Sequence, residues 1–393
     1  MHIPFCEAKC RYCGFYSESI KNHDSNRLIS AIIAELKKRC QEPFSPQYNS
    51  LKQPKEPPQK TKRCQEPLIS IQTVYIGGGS PSCLPAEQLL RLISEITSRW
   101  RNWQEFTVEI NPGQADKVIL SKLRTAGVNR LSIGAQSFNA EELRFLGRIH
   151  SVDDISRAVE AAKQAGFDNI GLDLIFAIPG STLKSWKHSI HSAIELDVRH
   201  ISAYALTYEE GTPLQKAVEA GKVKAVDEET DRAMYEMAID KLEKAGFKQY
   251  EISNFARPGF ECKHNLNYWA NKPYIGIGPA AGSYWRGERI QTIADIKKYI
   301  EAIEKRENVI EESETPNPLQ IACETAVLNL RRRAGINLVE FKSQTGFDAM
   351  ELFAEPINRY KDLGLIEAID ERIFLSRKAL PIADSVLCDF SDV

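Results

Sequence analysis

Three cysteines near the start of the chain, Cys6, Cys10 and Cys13, stand in the pattern C-x-x-x-C-x-x-C, flanked by Lys9 and Arg11. Thiolates are the ligands of iron–sulfur clusters. Three of them leave one iron of a four-iron cube open to a substrate or cofactor. Zinc is the rival, but a structural zinc site wants a fourth ligand. The nearest candidates for it are His2 and His23. The spacing therefore favours a [4Fe–4S] cluster. The chain has 9 cysteines. The others, Cys40, Cys64, Cys83, Cys262, Cys323 and Cys388, are scattered and read as buried or incidental thiols. Clustered metal-ligating thiols point to a reducing compartment, most simply the cytoplasm.

A second set of residues follows short apolar runs. Gly77-Gly78-Gly79-Ser80-Pro81 comes after a strand-like Val74–Ile76, and such glycines expose main-chain N–H groups to a ligand. Glu109 in V-E-I-N-P, Gln136 in G-A-Q-S-F and Asp173 in G-L-D-L-I-F lie in or at the ends of strands, and Arg148 sits in L-G-R-I-H. Taken singly, Asp173 reads as a satisfied buried carboxylate and Arg148 as a surface charge. Further on, His264-Asn265-Leu266-Asn267-Tyr268-Trp269 places a histidine beside aromatics. His264 could ligate haem iron, with Tyr268 and Trp269 stacked on a porphyrin, although a lone histidine among aromatics is more often packing. Cys262-Lys263-His264 is not the C-x-x-C-H pattern of covalent haem attachment.

Alternating elements must position these residues. Strands are expected at Val74–Gly77, Phe106–Ile110, Arg130–Gly134, Ile170–Phe176 and His200–Leu206, with helices between them. Ser151 and Asp154 form a capping pattern before an apolar helical face, and Gly166 stops that helix. This alternation implies an α/β fold with a parallel sheet, either doubly wound or curved into a full or partial barrel. Residues 40–70 are rich in Pro, Gln and Lys, and the hexapeptide Lys38–Pro43 recurs at Lys62–Pro67. This stretch reads as a mobile insertion. A break is expected near Glu311–Pro318. Beyond it, helices at Leu319–Leu330, Leu338–Thr345 and Met350–Leu363 and a strand at Arg372–Leu375 make a winged-helix-like module.

The composition fits this outline. A length of 393 residues suits one large domain with an appendage, and 42% apolar residues fill a core. A net charge of −2 gives no basic field for nucleic acid or anionic membrane. Arg331-Arg332-Arg333 alone hints at a nucleic-acid contact and reads as a solvated helix face. No long apolar run marks a membrane span, and Met1 leads into polar sequence unlike a signal peptide.

Together, H-I-P-F-C-x-x-x-C-x-x-C and the ordered motifs after it resemble the radical S-adenosylmethionine (SAM) superfamily. More narrowly they resemble the branch that contains oxygen-independent coproporphyrinogen III oxidases and HemW-type haem chaperones. The resemblance spans nearly the whole chain apart from residues 40–70. It implies a partial (β/α)6-type barrel with a C-terminal, mainly helical, winged-helix-like domain. The barrel would comprise a cluster-binding start at 1–39, the insertion at 40–70 and the remainder at 71–250. A connecting region at 251–310 and the C-terminal domain at 311–393 would follow. It implies a cluster on Cys6, Cys10 and Cys13, and SAM held by Tyr12, Gly78, Gly79, Ser80, Glu109, Gln136, Arg148, Asp173 and Ala205. SAM would chelate the open iron and be cleaved on reduction, so a reductant for the cluster is a further partner. The oxidases carry a fourth cysteine two residues after the third. Here that position is Phe15, as in the chaperones, and the H-N-x-x-Y-W motif and Tyr250–Phe260 also match them. The implied function is to bind haem and pass it to an acceptor protein. The alternative is an oxidoreductase acting on a porphyrinogen or another substrate. One departure is that family members carry a SAM-contacting Tyr two residues before the His, whereas this sequence starts at Met1-His2.

Overall fold

The computed structural model describes residues 1–41 and 70–391; most of the Pro/Gln/Lys-rich insertion, with Cys64 and the hexapeptide repeat, lies outside them. An eight-stranded sheet organises the chain. Its strands are β1 (His2–Ile3), β2 (Thr73–Gly78), β3 (Glu105–Ile110), β4 (Arg130–Gln136), β5 (Asn169–Phe176), β6 (His200–Ala205), β7 (Lys248–Glu251) and β8 (Asn254–Ala256). From β1 to β6 neighbours pair in parallel and in sequence order; β8 and then β7 extend the far edge antiparallel.

That order decides between the two expected architectures. A doubly wound sheet reverses its strand order once. Here the order never reverses, and right-handed crossovers then put every helix on one side of the sheet. The other side becomes a lumen, so the architecture is a partial (β/α)6 barrel. Side chains along the strands alternate accordingly. Val74, Ile76, Phe106, Val108, Leu131, Ile133, Leu172, Leu174 and Ile201 are buried in the core shared with the helices. Their sequence neighbours, Tyr75, Glu109, Arg130, Ser132, Asp173, Ser202 and Tyr204, line the lumen. Helix Val152–Gln164 starts at the Ser151/Asp154 capping box, as its sequence signals.

Both edges of the open sheet are covered by later chain. On the β1 side, the His2 amide donates to Ile277 O at 2.9 Å, and Gly278 (φ +107°) runs so close that a Cβ there would lie 2.4 Å from His2 O. On the β7 side, Ile252 N donates to Arg331 O at 3.1 Å and Arg333 N to Tyr250 O at 3.0 Å. Arg331-Arg332-Arg333 is thus no solvated helix face. It is a strap along the barrel edge, with guanidinium donors aimed at Asp384, Asn329 and Leu375 O.

Two other expectations need correction. Residues 311–314 belong to a strand, Ile310–Glu314, that pairs with Glu288–Thr292, which in turn pairs with Gly282–Trp285. Its acidic side chains point to solvent while its backbone pairs, a pattern that protects an edge strand. The single helix expected over Met350–Leu363 is two, Ala349–Leu352 and Ala354–Asp362. Pro356 explains the break, because its ring clashes with the carbonyl four residues back, at Leu352. The C-terminal part is otherwise helical with a small sheet of Ile336–Asn337, Ile366–Ile369 and Arg372–Leu375. Among the described residues, no helix is long and apolar enough to cross a membrane.

Candidate functional site

The lumen opens into a cavity of about 1460 Å³. Cys6, Cys10 and Cys13 all line it, as do Tyr12, Gly78, Gly79, Ser80, Glu109, Gln136, Arg148, Asp173 and Ala205. Every residue expected at the cluster and at SAM therefore faces one space. The cysteine loop is tied down on two sides, since Arg11 N donates to Leu146 O at 3.2 Å and Leu214 N to Arg11 O at 3.0 Å. Burial pushes the Cys6 and Cys13 thiols up.

Neither histidine is placed as a fourth zinc ligand. His23 Nε2 lies 2.7 Å from Glu18 Oε2, and His2 Nδ1 bonds Pro279 O. Among the described residues, no three His, Cys, Asp or Glu side chains converge on one ion position. A four-iron cube does not require such convergence, because each thiolate binds a different iron. Three cysteines around an open cavity, with no fourth ligand converging on them among the described residues, fit the cluster.

The glycine turn works in the opposite sense from the one its sequence suggests. Its N–H groups are engaged inside the protein: Gly77 N with Met1 O, Gly78 N with Glu109 Oε2 at 3.0 Å, Gly79 N with Ile3 O at 2.9 Å and Ser80 N with Phe5 O at 2.6 Å. Its N–H groups are therefore not free to meet a ligand, while Gly78, Gly79 and Ser80 still line the cavity. The glycines serve close backbone approach: a Cβ on Gly79 would lie 2.4 Å from Phe5 O, and one on Gly77 2.6 Å from the Glu109 carboxylate.

Two carboxylates stand in the lumen wall. Glu109 accepts from Tyr75 Oη at 2.8 Å as well as from Gly78, and burial raises its pKa. Asp173 accepts from Ser202 Oγ at 2.7 Å and Ser132 Oγ at 3.2 Å; burial raises its pKa too, opposed by the Ser202 bond and the Arg130 charge. On β4, the strand between those two carboxylates, Gln136 (φ +67°) and, from beyond the next helix, Arg148 converge over Gly134, where a Cβ would sit 2.9 Å and 3.3 Å from their side-chain nitrogens. Arg148 is no surface charge: its Nε is buried. Tyr75, Arg130, Ser132, Ser202 and Tyr204 were not singled out from sequence, although their period-two spacing opposite apolar neighbours was there to read. Asp384 and its neighbours Leu380–Ser385, a helical turn near the C-terminus, also line the cavity and carry no motif.

His264, Tyr268 and Trp269 are not brought to this cavity. Helix Lys263–Trp269 closes the opposite end of the barrel, its first amides held by the Glu105 carboxylate at the start of β3 (Lys263 N 3.0 Å, His264 N 3.1 Å). Both imidazole nitrogens are engaged, Nδ1 with Thr73 Oγ1 at 2.7 Å and Nε2 with Tyr268 Oη at 2.9 Å, and the ring stacks on Tyr75 at 5.1 Å. Burial drives its pKa down to about 3. The expectation that His264 is placed to ligate haem iron is thus not met in this conformation; the motif instead plugs the barrel, and its Asn265 reaches the cavity. His264→Ala should lower unfolding stability by about 1–3 kcal/mol, from two lost hydrogen bonds between buried partners. Chemical denaturation measures this, and an unchanged midpoint would remove the plug assignment.

Comparison with known proteins follows the same division. The radical SAM superfamily profile matches residues 1–193, and the HemN C-terminal domain profile matches residues 317–382. The heme chaperone HemW of Bacillus subtilis (strain 168) is 33% identical over 393 residues, covering 99% of this chain and 98% of that protein. The chain belongs to the radical SAM superfamily, in its HemN/HemW branch. The mitochondrial radical S-adenosyl methionine domain-containing protein 1 of Danio rerio is 33% identical over 349 residues, 86% of this chain and 73% of that protein. Among solved structures, coproporphyrinogen III oxidase (HemN) from Escherichia coli aligns over 100% of this chain and 89% of its own with a TM-score of 0.80. At 20% identity that match speaks to the fold. Membership in this superfamily carries a [4Fe–4S] cluster and SAM as cofactors, and the cavity residues fit both.

Proposed function

We propose that the chain is a haem chaperone on a radical SAM core, which binds haem and passes it to an acceptor protein. The observation that carries this reading is Phe15. It lies on the cavity wall two residues from Cys13, 71% exposed, where the branch oxidases place a fourth cysteine. Tyr204 and Ile382 are exposed in the same cavity. Apolar and aromatic surface beside a large cavity suits a flat macrocycle. The full-length similarity to heme chaperones supports the same reading.

Cys6, Cys10 and Cys13 hold the cluster in this proposal. When bound and reduced, the cluster supplies one electron to SAM. Glu109, beside the glycine turn, would receive the SAM ammonium, and Asp173, oriented by Ser132 and Ser202, would receive ribose hydroxyls. Gln136 at the end of β4 and Arg148, just beyond the following helix Ala140–Leu146, would bound the pocket, and Tyr12 and Ala205 would close it. A cellular reductant, an acceptor protein and a cytoplasmic setting complete the reading. The working division is a cluster-binding start at 1–39, the insertion at 40–70, the remaining barrel at 71–250, the connecting region at 251–310 and the C-terminal domain at 311–393.

Haem titration of anaerobically reconstituted protein tests it. A Soret band saturating at about one haem per chain is expected, beside about four irons in the cluster. No turnover of coproporphyrinogen III is expected. Catalytic decarboxylation of that substrate without haem binding would replace the chaperone by an oxidase.

A further inference from the structure

Arg148 makes a contact that SAM binding does not require. One terminal nitrogen donates to Cys10 Sγ at 3.6 Å and the other to Gly134 O at 2.9 Å. Both side-chain hydrogen bonds therefore go to a sulfur and a peptide oxygen, neither to a carboxylate. Nε is buried without a partner. A guanidinium keeps its charge at any ordinary pH, and a charge withdrawn from water needs a counter-charge. The groups that face it are Tyr12, Cys10, Cys6, Cys13, Asp173 and His150. A cluster ligated by three thiolates makes this site anionic and supplies that counter-charge.

The guanidinium is also fixed in place. Gly134 has no side chain to collide with it, and the Gly134 carbonyl clamps its far nitrogen. The fork therefore stays on Cys10 whether or not a ligand carboxylate is near. Hydrogen bonds to cluster sulfur and fixed nearby charge set the potentials of iron–sulfur clusters. A donor and a positive charge both favour the more negative, reduced state.

We propose that Arg148 is a positioning residue that raises the reduction potential of the cluster through its hydrogen bond to the Cys10 sulfur. The proposal rests on the cluster assignment and is independent of haem. It differs from a role confined to holding the SAM carboxylate, because a sulfur donor acts in SAM-free protein.

The test uses the full chain, reconstituted anaerobically without SAM. The reduced cluster is followed by electron paramagnetic resonance during titration with dithionite. Arg148→Met should shift the midpoint to more negative potential with iron per chain unchanged, and Arg148→Lys should fall between it and the wild type. Resonance Raman spectra in H2O and D2O supply a second readout: the Fe–S(Cys) stretch of wild type should shift more on exchange than that of Arg148→Lys. This comparison stands even if Arg148→Met fails to hold its cluster. Equal midpoints and equal isotope shifts overturn the proposal, as does a loss of SAM affinity with an unmoved SAM-free midpoint. Absence of iron from the wild type would instead sink the cluster assignment.

Discussion

Cys6→Ala, Cys10→Ala and Cys13→Ala should each reduce bound iron from about four per chain to near zero. The three sulfurs line one cavity, and among the described residues no preformed group of three His, Cys, Asp or Glu side chains offers an alternative metal site. His2 and His23, the nearest substitutes in sequence, are held by Pro279 and Glu18. Two thiolates hold a cube poorly, so the loss should be nearly complete. Global folding should survive, because the loop is anchored through backbone bonds of Arg11 to Leu146 and Leu214 rather than through the cysteines. Iron and sulfide counts beside a circular dichroism spectrum measure both arms. A variant with wild-type iron and visible absorption would show that its cysteine is not a ligand.

Gly79→Ala should cost more than about 3 kcal/mol of stability, or abolish SAM binding in whatever still folds. The added carbon would lie 2.4 Å from Phe5 O and 2.9 Å from Ile3 O, both backbone atoms that cannot swing aside. Relief requires the strand that carries Cys6 to move away from β2. That breaks the bonds from Gly79 N to Ile3 O and from Ser80 N to Phe5 O. Gly166→Ala is the control. Its φ is +86° with nothing within 4 Å of a Cβ, so only the left-handed backbone penalty of about 1 kcal/mol is expected. Denaturation midpoints and SAM affinity for the pair separate crowding from backbone strain. Equal losses in both variants would refute the packing argument.

The parallel strands were legible because each is a short apolar run ended by Gly, Pro or Asn, and the Ser151/Asp154 box marks its helix from local chemistry alone. The cysteines were legible because their spacing is itself the signal. What escaped reading depends on contacts distant in sequence. Arg130 and Ser202 look unremarkable until strand register sets them on the lumen face. The glycine turn was read as a set of donors, because nothing local reveals that Ile3 and Phe5 already accept its amides. His264 carries the same letters whether it faces a ligand or lies between Thr73 and Tyr268. Arg331–Arg333 appeared solvated because the partner edge, Tyr250–Ile252, is about 80 residues away, a pairing that local pattern does not encode.

The two covered edges of the sheet bear on how the protein is made. Synthesis runs from the N-terminus, so all six parallel strands leave the ribosome before residues 277–279 and 331–333 exist to cover them. Through that interval the sheet stands with the outer edges of β1 and, once it has formed, β7 unpaired, the condition in which strands recruit other strands. The covering segments are short, and each is held by backbone bonds together with specific side chains, Glu35 accepting from Gly278 N on one side and the Arg331–Arg333 guanidiniums on the other. Release of the last third of the chain is therefore the event that seals the barrel. Until then, both outer edges of the sheet stay open to pairing.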